Sequence, residues 1–114
     1  MIRVLHNNSC SKSKAILEFL DENNIKFEII DIIADPLSHI EILTLLKKLN
    51  MTPSQLLRTH DKAFIAKYGK GTVSDEQAMK ILETEPQFMQ RPILVKKEFA
   101  MIGRPLENAK LFVE

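Results

Sequence analysis

Val4-Leu5-His6-Asn7-Asn8-Ser9-Cys10-Ser11-Lys12-Ser13-Lys14 decides how the rest of the chain is read. It passes from the end of an apolar, β-branched run at residues 2–5, through a polar turn, into the first turn of a helix. The single cysteine, Cys10, stands at that junction. A thiol at a helix N-terminus meets unpaired backbone N–H groups and the positive end of the helix dipole, and both favour thiolate over thiol. Such placement lowers a cysteine pKa from its free value of about 8.5. Lys12 and Lys14 add positive charge close by. Asn7, Asn8, Ser9, Ser11 and Ser13 offer no apolar wall that would make Cys10 a small buried hydrophobe. Cys10 is therefore read as a nucleophilic or redox cysteine.

Outward from that junction the hydrophobic period sets the elements. Ala15, Ile16, Phe19, Leu20 and Ile25 follow near helical spacing, and Asn23-Asn24 supplies a left-handed close. Residues 26–32 read as a second strand, so strand, helix and strand form a βαβ unit with parallel strands. After Asp35-Pro36, Ser38 and Glu41 make a capping box for a helix whose apolar face is Ile42, Leu43, Leu45, Leu46 and Leu49. Thr52-Pro53 starts a short helix, and residues 62–68 form another, closed by Gly69 and Gly71. Ser74 caps a helix carrying Ala78, Ile81 and Leu82 that stops before Pro86. Residues 93–95, a polar turn at Lys96-Lys97-Glu98 and residues 99–102 read as a hairpin, and 106–113 as a terminal helix. The expectation is an α/β chain: a four-stranded mixed sheet flanked by helices, in the thioredoxin-like layout, with a helical insertion between its βαβ and ββα halves. Residues 1–114 are expected to form a single domain. In that layout a proline before the third strand, if cis, packs beside the cysteine, and Arg91-Pro92 is the candidate because X-Pro bonds are the common route to a cis peptide.

Composition narrows the function classes. A chain of 114 residues, 45% hydrophobic and 27% charged, suits a folded soluble domain with one core. Sixteen basic and fifteen acidic residues leave a net charge of +1, which gives no general drive toward nucleic acid or membrane. Any preference for an anion must come from a local cluster of cations. A lone cysteine rules out an internal disulfide framework and a multi-cysteine zinc site, and it points to the cytoplasm as a reducing compartment. No leader pattern precedes the first strand, and no apolar run approaches the roughly 20 residues needed to span a bilayer. His6, His39, His60 and Cys10 match no short metal-ligand spacing, so neither a metal nor a bound cofactor is expected.

Four segments then carry a resemblance. His6-Asn7-x-x-Cys10 with Ser13-Lys14, Leu56-Leu57-Arg58, Arg91-Pro92-Ile93 and Gly103-Arg104-Pro105 occur in the order found in the glutaredoxin-coupled arsenate reductase family, ArsC, and its near relatives, and together the chain resembles them. The resemblance implies a thioredoxin-like fold and reduction of arsenate to arsenite. It implies Cys10 as nucleophile, Arg58, Arg91 and Arg104 as the cations that bind the oxyanion, and His6, Ser13 and Lys14 as support for the thiolate. Glutathione would be co-substrate and glutaredoxin the protein partner. Arginine suits such a site because its planar donors match oxyanions and its charge is permanent. An external thiol is also required on independent grounds, since the chain has no second cysteine with which to form an internal disulfide. The chain has Asn8 where the reductases often have proline, and Lys14 where they often have arginine. Two alternatives share these motifs: a glutathione-dependent thiol reductase of the same fold acting on another substrate, and a regulator of the Spx type that binds RNA polymerase. The Spx class typically carries Cys-x-x-Cys where this chain has Cys10-Ser11-Lys12-Ser13.

Overall fold

The computed structural model describes residues 2–6, 11–71, 73–98 and 100–103, the side chains of 11–13 excepted. Strands β1 (Ile2–His6) and β2 (Phe27–Asp31) run parallel, paired from Ile2 with Phe27 to His6 with Asp31, and α1 (Ser11–Glu22) connects them. β3 (Ile93–Val95) is antiparallel to β1, and β4 (Ala100–Ile102) is antiparallel to β3, so the sheet order is β2-β1-β3-β4. Between the halves lie α2 (His39–Leu49), α3 (Lys62–Tyr68) and α4 (Asp75–Thr84), with tight 3-10 turns at Pro53–Leu56 and Pro86–Phe88. This is the expected thioredoxin-like layout with its helical insertion. The helix expected at 106–113 and residue 99 of the hairpin lie outside the described residues.

Strand alternation divides the core in two. Ile2 and Val4 of β1, with Leu94 of β3, pack on Ile16 and Leu20 of α1. Leu5 and Ile93 point the other way, into a larger cluster that includes Ile42, Leu45, Phe64 and Leu82. Fully burying a side chain of this kind is worth ~1.5–3 kcal/mol, so both faces of the central strands are strongly specified.

Local chemistry sets the helix ends. Ser38 Oγ accepts the Glu41 N–H at 3.2 Å while Glu41 Oε1 accepts the Ser38 N–H at 2.9 Å. That bond holds the Glu41 carboxyl below its ordinary pKa. Asn24 and Asn50, both at φ 57°, close α1 and α2 in the left-handed conformation that asparagine tolerates. The capped starts at Ser74 and Thr52 and the stop at Gly69 are as the sequence indicated. The apolar faces are narrower than expected. Leu43 is 48% exposed and Ala15 is exposed as well, because each sits about 100° around its helix from the buried residue beside it. His39 is largely exposed, and its Nδ1 lies 2.8 Å from Glu83 Oε1, clasping α2 to α4. Among the described residues, no helix is long and apolar enough to cross a membrane.

Candidate active site

The C-terminal end of β1 gathers several chain segments. His6 is the last residue of the strand and is 6% exposed; its carbonyl accepts the Ile32 N–H at 3.0 Å. Its side chain lies on the face shared with Ile2 and Val4, toward α1. Its Nε2 is buried and has no hydrogen-bond partner among the described residues. On the other flank of β1, Leu5 is paired with Ile93, the first residue of β3. The Arg91–Pro92 peptide just before Ile93, the candidate that the sequence offered, is cis.

Gly103 closes the cluster. Its N–H donates to the Pro92 carbonyl at 2.8 Å. A Cβ on Gly103 would lie 3.1 Å from Ile16 Cδ1 and 3.3 Å from Pro92 Cγ, so the missing side chain lets the exit of β4 sit against both the cis proline and α1. The end of β1, the start of β3, the exit of β4 and Ile16 of α1 therefore meet at one end of the sheet. α1 starts at Ser11, the residue after Cys10 in sequence, and Gly103 precedes Arg104. Cys10, Arg104 and the side chain of Ser13 lie outside the described residues; Lys14 is exposed on α1.

Arg58 and Arg91 are brought onto neighbouring segments by a short stitch that sequence periodicity does not reveal. Leu57 and Met89 form an antiparallel bridge. The Arg58 N–H donates to the Phe88 carbonyl at 2.7 Å, and the Gln90 N–H to the Leu56 carbonyl at 2.9 Å. The Gln90 amide adds a bond from Nε2 to the Gln55 carbonyl at 2.7 Å. Arg91 itself is 8% exposed, and its Nη1 donates to the carbonyls of Gln87 at 2.9 Å and Met89 at 3.4 Å. Part of its donor capacity is thus spent on holding the turn that precedes β3.

Arg58 has a partner that sequence reasoning passed over. Its Nη2 lies 3.5 Å from Asp61 Oδ2, with both side chains mostly buried, while its Nε is buried without a hydrogen-bond partner among the described residues. Asp61 also caps α3, its Oδ1 accepting from the N–H groups of Ala63 at 2.8 Å and Phe64 at 3.4 Å. The signal was available: an aspartate just before a helical run is a cap candidate, and three residues after an arginine it is within reach of it. His60 is exposed beside this turn.

Behind the stitch, Glu85 at the end of α4 accepts hydrogen bonds from Lys67 Nζ and Tyr68 Oη of α3. The lysine first and the tyrosine second hold the Glu85 carboxyl below its ordinary value, and the same carboxylate raises the Tyr68 phenol. Phe64 and Phe88 meet edge to face at 5.3 Å beneath it. The arrangement offers a sheet end with a buried imidazole nitrogen that has no partner among the described residues, a cis proline, and two arginine-bearing segments fixed to one another. Chemically, guanidinium groups on neighbouring segments are donors of the kind that recognise oxyanions.

Known proteins resemble this chain in sequence and fold. The model of the ArsC family matches residues 5–112. An arsenate reductase of Neisseria meningitidis is 28% identical over 110 residues, covering 94% of this chain and 93% of its own. The global transcriptional regulator Spx 2 of Lactococcus lactis is 30% identical over 115 residues, covering 99% and 86%. Among solved structures, a putative arsenate reductase from Yersinia pestis superposes with a TM-score of 0.86 at 26% identity, covering 97% of this chain and 99% of its own. With the family pattern matched along nearly its full length and the fold matched by a solved relative, this chain belongs to the ArsC family.

Proposed function

We propose that this chain is an oxidoreductase that reduces arsenate to arsenite, with Cys10 as nucleophile and glutathione and glutaredoxin as the external thiol system. The observation that carries the reading is the meeting of His6, the cis Arg91–Pro92 bond and Gly103 at one end of the sheet, where β1 leads in sequence into the stretch that holds the only thiol. The stitching of the Arg58 segment to the segment leading into Arg91 supports the same reading.

The chemistry runs in two halves. The Cys10 thiolate attacks arsenic and a water leaves, giving a cysteinyl thiol-arsenate in which arsenic is still pentavalent. Arg58, Arg91 and Arg104 stabilise the charge on its oxygens, the role that fixed cations play in such transfers. Glutathione thiolate then attacks the Cys10 sulfur. The sulfur–arsenic bond breaks, its electron pair stays on arsenic, and arsenite departs. The two thiols have supplied the two electrons and remain joined as a mixed disulfide, which glutaredoxin reduces by exchange. His6, with its buried Nε2 at the strand end, and Ser13 and Lys14 of α1 favour the thiolate. The reaction needs no bound cofactor, uses residues 1–114 as one domain, and belongs in a reducing compartment such as the cytoplasm.

A coupled assay following NADPH oxidation with arsenate, glutathione, glutaredoxin and glutathione reductase tests this. Wild type should oxidise NADPH in an arsenate-dependent way, and Cys10→Ser should not. Glutathione-dependent arsenate turnover by Cys10→Ser refutes the assignment of the nucleophile. Glutathione binding without arsenate-dependent turnover favours a thiol reductase acting on another substrate. A regulatory reading rests on the likeness to the Lactococcus lactis regulator. Capture of the RNA polymerase α subunit by a chain that shows no arsenate turnover would favour it.

A further inference from the structure

β2 is the terminal strand of the sheet, and its outer side is open among the described residues. The end bonds of its ladder with β1, Ile2 N–H to the Lys26 carbonyl and Ile32 N–H to the His6 carbonyl, fix which backbone groups face inward. Residues 28, 30 and 32 turn their amides toward β1. Phe27 and Ile29 therefore direct both N–H and C=O away from the sheet. No proline interrupts this edge, and Ile29 stands 47% exposed on it. Such an edge is a template for another strand.

Beside this edge, on the α2 side of the sheet, lies a half-open cavity of about 250 Å³. Ile30, Leu37 and Ile40 line it beside Arg3, Glu41 and Lys48, so the recess joins apolar side chains to charged ones. Ile40 is 73% exposed, and Ile33 just past β2 is 41% exposed. Open backbone groups next to a recess that offers apolar contact at Ile30, Leu37 and Ile40 are the two components of recognition by strand addition: the backbone supplies affinity and the recess accepts alternate side chains.

We infer that the free edge of β2 takes up an extended peptide segment of pattern Leu-x-Lys as a fifth, antiparallel strand. The residue opposite Ile29 exchanges both backbone hydrogen bonds with it. Its neighbours fall opposite Ile30 and Glu28, on the α2 side. Leucine opposite Ile30 reaches the cavity, and lysine opposite Glu28, which is exposed, meets an unlike charge. A second copy of the chain fits less well. Self-pairing centred on Ile29 sets Glu28 against Ile30 of the other copy, so the added strand brings no cation to a carboxylate whose register partner on β1 is Arg3.

The test uses the full-length, isotope-labelled chain and the blocked peptide acetyl-Thr-Leu-Val-Lys-Thr-amide. Titration should shift the amides of Phe27 and Ile29 and the signals of Ile30, Leu37 and Ile40, and should slow exchange of the Phe27 and Ile29 N–H protons. N-methylation of the peptide valine removes the donor to the Ile29 carbonyl and should weaken binding about tenfold. Glu28→Lys should weaken this peptide and tighten the Leu-x-Glu version, a reversal that loss of folding cannot produce. Ile29→Pro, at an outward position where edge strands tolerate proline, should abolish binding. Equal binding by the N-methylated peptide, or shifts confined to other surfaces, overturns the inference. So does protection of Ile29 that rises with protein concentration alone, since the occupant is then a second copy.

Discussion

Replacing Asp61 with asparagine separates two tasks of one carboxylate. Oδ1 caps α3 through the N–H groups of Ala63 and Phe64, and Oδ2 sits 3.5 Å from Arg58 Nη2. Asparagine retains an acceptor at the cap, where it ranks with aspartate, so α3 keeps its start. The stability loss is then confined to one ion pair between partly exposed side chains, ~0.2–1 kcal/mol. Substrate affinity should move the other way. If Arg58 binds the oxyanion, Asp61 competes for that cation and repels the substrate. For two like charges about 7 Å apart across the guanidinium, at an effective dielectric of about 40, Coulomb's law gives ~1.2 kcal/mol per unit charge. That corresponds to roughly a sevenfold lower KM for arsenate, with kcat little changed. Added salt should shrink the gain, because both groups are partly open to solvent. The assay is initial-rate NADPH oxidation over a range of arsenate at low and high salt, with a urea unfolding curve on the same preparation. An unchanged or higher arsenate KM at low salt, with the unfolding midpoint preserved, would remove Arg58 from the oxyanion site.

Three further outcomes follow from the described geometry. Glu85, whose carboxyl is held below 4.5 by Lys67 and Tyr68, contributes stability that is present above its unfolded pKa and is lost as pH falls through its lower folded pKa; Glu85→Gln should flatten the fall in Tm with acidification below about pH 4.5. Gly103→Ala places a methyl 3.1 Å from Ile16 Cδ1 and should cost ~1 kcal/mol or more by overpacking, with a positive coupling when Ile16→Val supplies room, measured by a double-mutant cycle in urea. Phe64→Ala, at a fully buried site against Phe88 and Tyr68, should cost ~3–5 kcal/mol in urea unfolding and leave hydrogen exchange faster at the Arg58 amide than at Leu5.

What could be read from the sequence was local in origin. Capping residues act on amides within three positions, so Ser38 with Glu41, Ser74, Asn24 and Gly69 marked helix ends correctly. β-branched runs located β1 and β3, and the X-Pro rule located the cis bond. Width of an apolar stripe is set by what packs against it, which is why Leu43 and Ala15 were assigned to the core and proved exposed. The turn at Pro86–Phe88 is three residues long and gives no period to detect; Pro86 read only as a stop. Hardest to see were contacts between distant segments, the Leu57–Met89 bridge and the His39–Glu83 pair, whereas the local Arg58–Asp61 pair was within reach of the sequence and was passed over. The family pattern named the arginines, whereas the bridge that joins the segments of two of them depends on hydrogen bonds between residues thirty or more positions apart.

That bridge also turns the intervening chain into an exchangeable cassette. Residues 58–88 leave and re-enter at adjacent points, joined by backbone bonds that tolerate any side chain. Helices α3 and α4 can be swapped as a block for those of a relative without altering the span between their anchor points. A library built this way would vary the surroundings of Arg58, provided that each block keeps the core contacts that Phe64, Ile81 and Leu82 make beneath the sheet.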